Sequence, residues 1–371
     1  KSQPQGFDKW MVLPGQGLYY NPDLLTPEGK VMIEGHCTDV VTDLAVDWLK
    51  KGRNQEKPFL LMCQHKAPHR NWMPALRHLH LWADEDLPEP ATLFDDWKDN
   101  ASPARWQELE IDGHMDLQFD LFYNLTPAYN GAARKGMFDK SAWRNMSRMT
   151  PTQLTAWRDH YEPRDAALKK ADLKGKDLVR WKYQRYAKNY LRCVRGVDES
   201  VGTLMRTLEE MGIADNTIVV YSSDQGFYIG DHGWFDKRWM YEESLLMPLV
   251  IKWPGVTQPG SVNDEHLVQN LDYAETFLEA AGVEIPNDMQ GHSLIPLLKG
   301  QKPKDWRDSI YYHYYEYPSV HQVPRHNGIR TDRYKLIQFY EFGEWEFYDL
   351  QEDPDERSEE HTSELQSPVT I

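Results

Sequence analysis

The chain has 371 residues, 40% of them hydrophobic and 12% aromatic, enough for one large domain with an appendage or for two domains. Its formal net charge of −16 argues against a nucleic-acid partner, because the phosphates would be repelled, and against a polybasic membrane anchor. No apolar run approaches the roughly 20 residues that a membrane-spanning helix needs, so we expect no membrane span.

The first half of the chain predicts one helix, one strand and a long irregular region. Apolar residues with helical spacing follow an N-cap at Thr38 and run up to Gly52. The apolar run "PFLLMCQH" at 58–65 predicts a buried strand of a parallel sheet. Residues 75–180 are polar and rich in tryptophan, and we interpret them as an insertion with helical pieces.

The second half alternates helices and strands. A helix is predicted at 180–211 and another at 272–283, with strands in "NTIVVYSSD" (216–224) and "MPLVIKWPG" (247–255). This order indicates an α/β fold with a doubly wound, mostly parallel sheet flanked by helices. Aromatic strands separated by turns then predict a small C-terminal antiparallel α+β subdomain.

We therefore expect an α/β core over residues 1–300 and a subdomain over 301–356. The remaining residues, 357–371, have no structural periodicity. Their first part, Arg357 to Ser367, matches the translation of a common short-read sequencing adapter. Our hypothesis is that natural coding sequence ends near Glu356.

The loop "YSSDQGFYIGDHGWFDK" at 221–237 is the first candidate site. Asp224 and Gln225 follow the end of a predicted strand, which is where ligands bind in open α/β sheets. A carboxylate beside an amide carbonyl suits Ca²⁺ or Mg²⁺. Lys237 supplies a positive charge for an anion, and His232 is a further candidate contact. On composition alone, a solvated glycine-rich loop is equally compatible.

Two histidines form the second candidate site, in "CQHKAPHRNW" at 63–72. His65 and His69 also follow a predicted strand end, and the proline between them excludes a regular helix. They could be zinc ligands, proton-transfer groups or anion contacts, or an incidental pair. Their expected position at the sheet edge that carries Asp224 favours a functional role.

The third candidate site is a group of basic residues in "YYEYPSVHQVPRHNG". His321, Arg325 and His326 concentrate positive charge in an acidic chain and could recognise a sulfated or carboxylated substrate. A positively charged turn between strands is an equal alternative.

The segment "NTIVVYSSDQGFYIGDHGWFDKRWMYEESLLMPLVIKWPG" resembles the sulfatase family of the alkaline-phosphatase superfamily. "KPFLLMCQHKAPHRNWMP" and "GIRTDRYKLIQFY" resemble the same family in the same order, closest to the subgroup of N-acetylglucosamine-6-sulfatases and iduronate-type sulfatases. The resemblance implies hydrolysis of sulfate esters of glycosaminoglycan sugars. It also implies Ca²⁺, with Mg²⁺ less expected, and a formylglycine nucleophile installed by a maturation enzyme.

The resemblance also assigns roles to individual residues. It implies that Asp224 and Gln225 are metal ligands, that Lys237 binds the sulfate, and that His69 contacts the sulfate and acts as the acid. The implied substrate contacts are His65, His232, His321, Arg325 and His326. By analogy with the family, the protein would be periplasmic, secreted or lysosomal.

The chain departs from the family in one large respect. The Cys/Ser-x-Pro-x-Arg motif that yields formylglycine does not occur in the 371 residues, and Cys37 is not followed by proline. The first pair of metal-binding aspartates is not found either. We therefore expect an N-terminally truncated sulfatase that is inactive by itself and binds metal weakly.

Two other functions remain compatible with these residues. One is a phosphoesterase of the same superfamily with Zn or Mn, although Gln225 and Lys237 favour sulfate. The other is a non-catalytic, carbohydrate-binding pseudosulfatase. The sequence upstream of Lys1 would discriminate between enzyme and pseudoenzyme.

Overall fold

A computed structural model describes residues 3–125 and 144–357. The chain divides into two compact units, the first comprising Lys1–Pro88 and His114–Ala214 and the second comprising Glu89–Gly113 and Asp215–Ile371. In the described ranges, no helix combines the length and the apolar character needed to cross a membrane.

The first unit is mainly helical. Its elements are β1 (Asp23–Thr26), β2 (Gly29–Met32), α1 (Cys37–Asp47), α2 (Pro151–Ala171) and α3 (Gly175–Glu210). Strands β1 and β2 form an antiparallel hairpin. A capping box between Thr150 and Gln153 satisfies backbone groups at the start of α2. The Thr42 hydroxyl of α1 donates to Ser200 Oγ of α3 at 2.6 Å, which joins the two helices.

Two sequence predictions for the first unit need correction. The predicted helix after residue 38 is confirmed, but it begins at Cys37, and Thr38 is buried in its first turn rather than capping it. The prediction of a buried strand at 58–65 is wrong. Among the described residues this segment forms no strand and pairs with none. Leu60 and Met62 are consequently 63% and 54% exposed.

The second unit contains most of the strands. Its strands are β3 (Val219–Ser222), β4 (Tyr228–Ile229), β5 (Phe235–Asp236), β6 (Leu249–Lys252), β7 (Ser309–Tyr314), β8 (His326–Thr331), β9 (Tyr334–Phe339) and β10 (Glu344–Asp349). Its helices are α4 (Glu242–Leu245), α5 (Asp272–Ala280) and α6 (Ile295–Leu298).

The predicted strands at 216–224 and 247–255 are confirmed as β3 and β6, and the helix predicted at 272–283 as α5. β3 pairs with β6 in antiparallel register, with Val219 opposite Lys252, so these two strands are not the parallel neighbours that we expected. Strands β7 to β10 form an antiparallel sheet in the order β10-β9-β8-β7, as predicted for the C-terminal region.

An aromatic core holds the segment that leads into and out of Lys237. The rings of Trp234 and Tyr241 stack with centroids 5.6 Å apart, and Trp239 packs against Phe339 of β9 at 5.5 Å. Each such ring buries on the order of 200 Å². The chain on both sides of Lys237 is therefore fixed to the C-terminal sheet.

The domain boundaries proposed from the sequence stay predictions. Residues 89–113 of the predicted insertion cluster with the second unit, and its other described residues with the first. The proposed adapter translation lies outside the described residues except for Arg357, whose guanidinium lies 2.9 Å from Asp95 Oδ1.

Candidate functional site

Asp224 and Gln225 lie in the loop that leaves β3. The Asp224 side chain is exposed and accepts a hydrogen bond from Ser223 Oγ at 3.4 Å, and Gln225 is half-buried. The next residue, Gly226, donates its N–H to Ser244 O at 2.9 Å. A Cβ on Gly226 would lie 2.1 Å from Glu243 O, so only glycine fits here. This contact fixes the loop on α4 and leaves Asp224 at the surface.

The donors at this loop suit part of a calcium site. Carboxylate and amide oxygens are the ligands that Ca²⁺ takes, but Ca²⁺ needs six to eight oxygens. In residues 3–125 and 144–357, no group of three or more His, Cys, Asp or Glu side chains is arranged to hold a metal. The two side chains are therefore compatible with Ca²⁺ without completing its coordination, and the cofactor remains a prediction.

Lys237 lies between two residues with left-handed backbone geometry. The backbone φ angles are 78° at Asp236 and 94° at Arg238, values that residues other than glycine rarely adopt. Only 15% of the Lys237 side chain is exposed. Its Nζ lies 3.8 Å from Asp236 Oδ1 and 5.7 Å from the centre of the Phe227 ring. The ammonium is thus partly sheltered on a strained segment.

Asp236 is a buried carboxylate that the sequence reasoning missed. Arg238 Nη1 donates to its Oδ1 at 2.5 Å, and His321 Nε2 lies 3.1 Å from its Oδ2. Burial by itself would raise the pKa of Asp236, but the His321 hydrogen bond and the charges of Arg238 and Lys237 hold it well below its ordinary value. The only sequence signal for this pairing was the acidic residue beside two basic ones.

His321 is buried and faces Asp236, not a surface lip. Its Nδ1 donates to Glu108 O at 2.8 Å. The backbone N–H of Glu108 donates in return to His321 O at 2.6 Å. The two ring nitrogens of His321 therefore face a backbone carbonyl and a carboxylate, both of which are hydrogen-bond acceptors. This geometry gives His321 a supporting role in place of the predicted sugar contact.

His232 is also buried, with 1% of its side chain exposed. Its Nδ1 lies 3.5 Å from Asp95 Oδ2 and its Nε2 lies 3.5 Å from Glu243 Oε2. Burial alone would lower the pKa of His232, but these carboxylates raise it to about 9. His232 is therefore a buried cation that joins three chain segments, and its role as a substrate contact stays a prediction.

The other two basic residues of the C-terminal region differ in exposure. His326 is fully buried against the rings of Trp239 and Phe339, and burial lowers its pKa to about 4. Arg325 is partly exposed, with Nη1 2.6 Å from Glu341 Oε1 and Nε donating to Tyr315 O at 2.9 Å. Arg325 is thus the member of this group whose position suits a substrate contact.

The two histidines of the first unit have different surroundings. His65 Nε2 lies 2.9 Å from Ser200 Oγ of α3, and burial lowers the pKa of His65 to about 4. His69 is half-buried, and its Nδ1 donates to Arg70 O at 2.7 Å. Tyr19 Oη donates to His69 O at 2.7 Å and fixes the backbone. The hydrogen bond to Arg70 O fixes the orientation of the His69 ring.

Comparisons with known proteins agree with the resemblance seen in the sequence. A family model for sulfatases matches residues 1–283, and a model described as the C-terminal part of N-sulphoglucosamine sulphohydrolase matches 230–370. The chain is 46% identical over 364 residues to N-acetylglucosamine-6-O-sulfatase of Bacteroides thetaiotaomicron, covering 96% of this chain and 63% of that protein. It is 26% identical to N-acetylglucosamine-6-sulfatase of Homo sapiens, covering 84% of this chain and 46% of that protein.

The similarity extends to three dimensions. The structure of a protein in complex with its substrate D-glucosamine-2-N,6-O-disulfate matches with a TM-score of 0.91 and 44% identity. The match covers 98% of this chain and 74% of that chain. The expected α/β fold class is thereby confirmed, and the chain spans less than two thirds of the length of the curated relatives named above. This chain belongs to the sulfatase family.

Proposed function

We propose that the chain serves in a formylglycine-dependent sulfatase that hydrolyses the 6-O-sulfate ester of a glucosamine residue, as found in glycosaminoglycans. The observation that carries the proposal is the 46% identity to an N-acetylglucosamine-6-O-sulfatase, which covers 96% of this chain. The substrate-bound protein of similar structure supports the same sugar and sulfate position.

For the second unit we propose that Lys237 binds a sulfate oxygen. A lysine ammonium is a compact charge that neutralises an anion, and such charge stabilisation lowers the barrier when charge moves onto a leaving oxygen. We propose Asp224 and Gln225 as ligands of Ca²⁺, completed by groups outside the described residues. When bound, the ion would neutralise negative charge on the sulfate. Arg325 is our candidate for contact with the sugar.

For the first unit we propose that His69 is the general acid. In sulfate ester hydrolysis the S–O bond to the sugar breaks, and the sugar oxygen gains a proton while water supplies the oxygen that ends on sulfate. His69 Nε2 would deliver that proton, since its Nδ1 is held by Arg70 O. His65 is tied to Ser200, so we propose that it supports this segment rather than the substrate.

The nucleophile is not among these residues. Because the 371 residues contain no Cys/Ser-x-Pro-x-Arg motif, we propose that this polypeptide by itself does not turn over sulfate esters. Catalysis would require a formylglycine, made by a maturation enzyme, from a segment that these residues do not include. We propose a periplasmic, secreted or lysosomal location by analogy with the family.

The proposal is tested with the full-length protein coexpressed with a formylglycine-generating enzyme. We expect sulfate release from glucosamine-6-sulfate and from the N,6-disulfated sugar, and little from 2-O-sulfated uronic acid or from a phosphate monoester. Lys237→Ala should lower kcat/KM at least 100-fold, whereas Lys252→Ala, on the exposed side of β6, should not. Turnover confined to phosphate esters would establish a phosphoesterase instead.

The missing nucleophile motif also keeps a non-catalytic function in view. A pseudosulfatase would bind a sulfated sugar without hydrolysing it. Isothermal titration with glucosamine-6-sulfate, run beside the turnover assay, separates these outcomes. Binding without turnover in the mature full-length protein would refute the enzymatic proposal and support the pseudosulfatase.

A further inference from the structure

Asp236 is a buried carboxylate that lies directly before Lys237 and has no role in the function proposed above. Only 3% of the residue is exposed, and its partners keep it ionised. A buried charge is costly unless it is paired and hydrogen-bonded, and breaking such a pair is strongly destabilising. The arrangement of its partners indicates what the carboxylate does.

The two carboxylate oxygens are divided among three basic side chains. Oδ1 meets Arg238 Nη1 at 2.5 Å and Lys237 Nζ at 3.8 Å, and Oδ2 meets His321 Nε2 at 3.1 Å. The Lys237 ammonium thus lies within ion-pair distance of the oxygen that Arg238 contacts, while His321 contacts the other oxygen.

Both ends of this arrangement are fixed to the rest of the second unit. His321 and Glu108 exchange two hydrogen bonds, one through the ring at 2.8 Å and one through the backbone at 2.6 Å. The backbone N–H of Arg238 donates to Ser244 Oγ at 3.1 Å, and the backbone carbonyl of Arg238 accepts from Tyr312 Oη at 3.0 Å. These contacts hold the left-handed φ angles on either side of Lys237, a strain that persists only where the surroundings over-determine it.

We propose that Asp236, itself held by His321, is a positioning residue that presents the Lys237 ammonium to the sulfate. The inference rests on the proposed role of Lys237. Lysine has a long, flexible side chain, so a sulfate that has to order it loses affinity. A carboxylate that orders the ammonium in advance reduces that loss, because binding is favoured by preorganisation.

The sign of the effect separates this role from simple electrostatics. A negative charge next to Lys237 should repel sulfate, so Asp236→Asn would increase sulfate affinity if Asp236 acted only through its charge. If Asp236 acts by holding Lys237, the same substitution decreases the affinity. The two accounts predict opposite signs for one measurement.

The measurement is the Kd of inorganic sulfate for the full-length protein, by isothermal titration. We expect Asp236→Asn to weaken binding at least 10-fold. The matched control is Asp349→Asn, which neutralises another ion-paired carboxylate of the same unit that lies against Arg333 and should change the Kd less than 2-fold. An unchanged or tighter Kd for Asp236→Asn overturns the proposal.

A double-mutant cycle tests whether the effect passes through Lys237. In a Lys237→Ala background, Asp236→Asn should change the sulfate Kd less than 2-fold, because there is no ammonium left to position. A second loss of 10-fold in that background overturns the proposal. The proposal is also overturned if the Lys237→Ala variant binds sulfate with the same Kd as the wild type.

Melting temperatures show whether each variant folds. If Asp236→Asn does not fold, His321→Asn replaces it, with an expected loss of sulfate affinity of at least 5-fold, and an unchanged Kd overturns the proposal. Turnover of glucosamine-6-sulfate by the wild type is measured separately. Absence of turnover refutes the proposed function, whereas the sulfate cycle still decides the role of Asp236.

Discussion

Gly226 shows how a single residue fixes the loop that carries the proposed metal ligands. It has an ordinary φ, so its requirement for glycine comes from crowding and not from backbone conformation. Backbone oxygens of Glu243 and Leu246 would lie 2.1 Å and 2.4 Å from an added Cβ. Backbone atoms cannot move aside as a flexible side chain can, so any larger residue must displace the loop.

We therefore predict that Gly226→Ala destabilises the protein by about 3 kcal/mol, at the upper end of overpacking effects. Denaturant unfolding measures this change. The control is Gly202→Ala in α3, where the nearest atom to the added Cβ is the flexible Arg206 Nη1 at 3.3 Å. Alanine favours a helix interior over glycine by about 1 kcal/mol, so the control should be neutral or stabilising. Equal destabilisation of both variants would contradict the prediction.

His232 gives a prediction about pH at the same scale. Its pKa is raised in the folded state to about 9, from an ordinary value of 6.5. The carboxylates that act on it are Asp95, Glu243 and Glu356. A group with a raised pKa contributes stability that is complete below its unfolded pKa and is lost as pH rises through the folded one. The window is therefore pH 6.5 to 9.

We expect the wild type to lose about 3 kcal/mol of unfolding free energy across that window, since each pKa unit corresponds to about 1.4 kcal/mol. His232→Gln should have lower stability at pH 6 and a flatter pH dependence between 6.5 and 9. Urea unfolding at several pH values measures both. A variant with the wild-type slope would show that another group causes the pH dependence.

At the scale of elements, the C-terminal sheet contains a buried ion cluster. The Lys335 side chain in β9 is fully buried, and its Nζ lies 2.8 Å from Glu242 Oε1 and 2.6 Å from Glu356 Oε1. Glu242 lies at the start of α4 and Glu356 follows β10. The cluster therefore links the sheet to the helix on which the Gly226 loop packs.

Removing only the lysine should be severe, because Glu356 then remains buried without Lys335, while Glu242 keeps its ion pair with Arg330. We predict that Lys335→Met lowers the unfolding free energy by about 3–5 kcal/mol. Arg333→Met is the control: its ion pair with Asp349 is partly exposed and should be worth less than about 1 kcal/mol. Adding Glu356→Gln to Lys335→Met should restore part of the stability. No rescue by Glu356→Gln would indicate that Lys335 stabilises the sheet in another way.

At the scale of the whole molecule, each proposed site residue belongs to one of the two compact units. Asp224 and Gln225 belong to the second unit and His69 to the first. Among the residues that the structure describes, no group of three or more His, Cys, Asp or Glu side chains is arranged to hold a metal, whereas Ca²⁺ takes six to eight oxygens. The affinity of the 371-residue chain for Ca²⁺ should reflect that shortfall.

We predict that this polypeptide binds Ca²⁺ with a Kd of about 0.1 mM or weaker, the range of the weakest oxygen sites. Asp224→Asn should abolish the binding detected by calorimetry. Asp215→Asn, an exposed aspartate ahead of β3, should not change it. Micromolar affinity in the wild type, or loss of binding in the control alone, would contradict the assignment of Asp224.

Much of the fold followed from local patterns. The spacing of apolar residues in α3 and the aromatic strands of the C-terminal sheet predicted those elements, because a periodic pattern defines a face that must be buried. The segment 58–65 shows the limit. An apolar run predicts a strand that is stable when a second strand pairs with it. The run itself does not specify which other segment would supply that second strand. Leu60 and Met62 are consequently exposed among the described residues.

The sequence by itself determined the family, the chemical type of each candidate residue, and the loop that presents Asp224, Gln225 and Lys237. Only the tertiary structure decided which histidines are buried. His232 is held by Asp95, and His321 by Glu108, residues more than 130 positions away along the chain. The environment of a side chain depends on every segment that packs around it, and this is why Asp236, unremarkable in the sequence, emerged as the partner of Lys237.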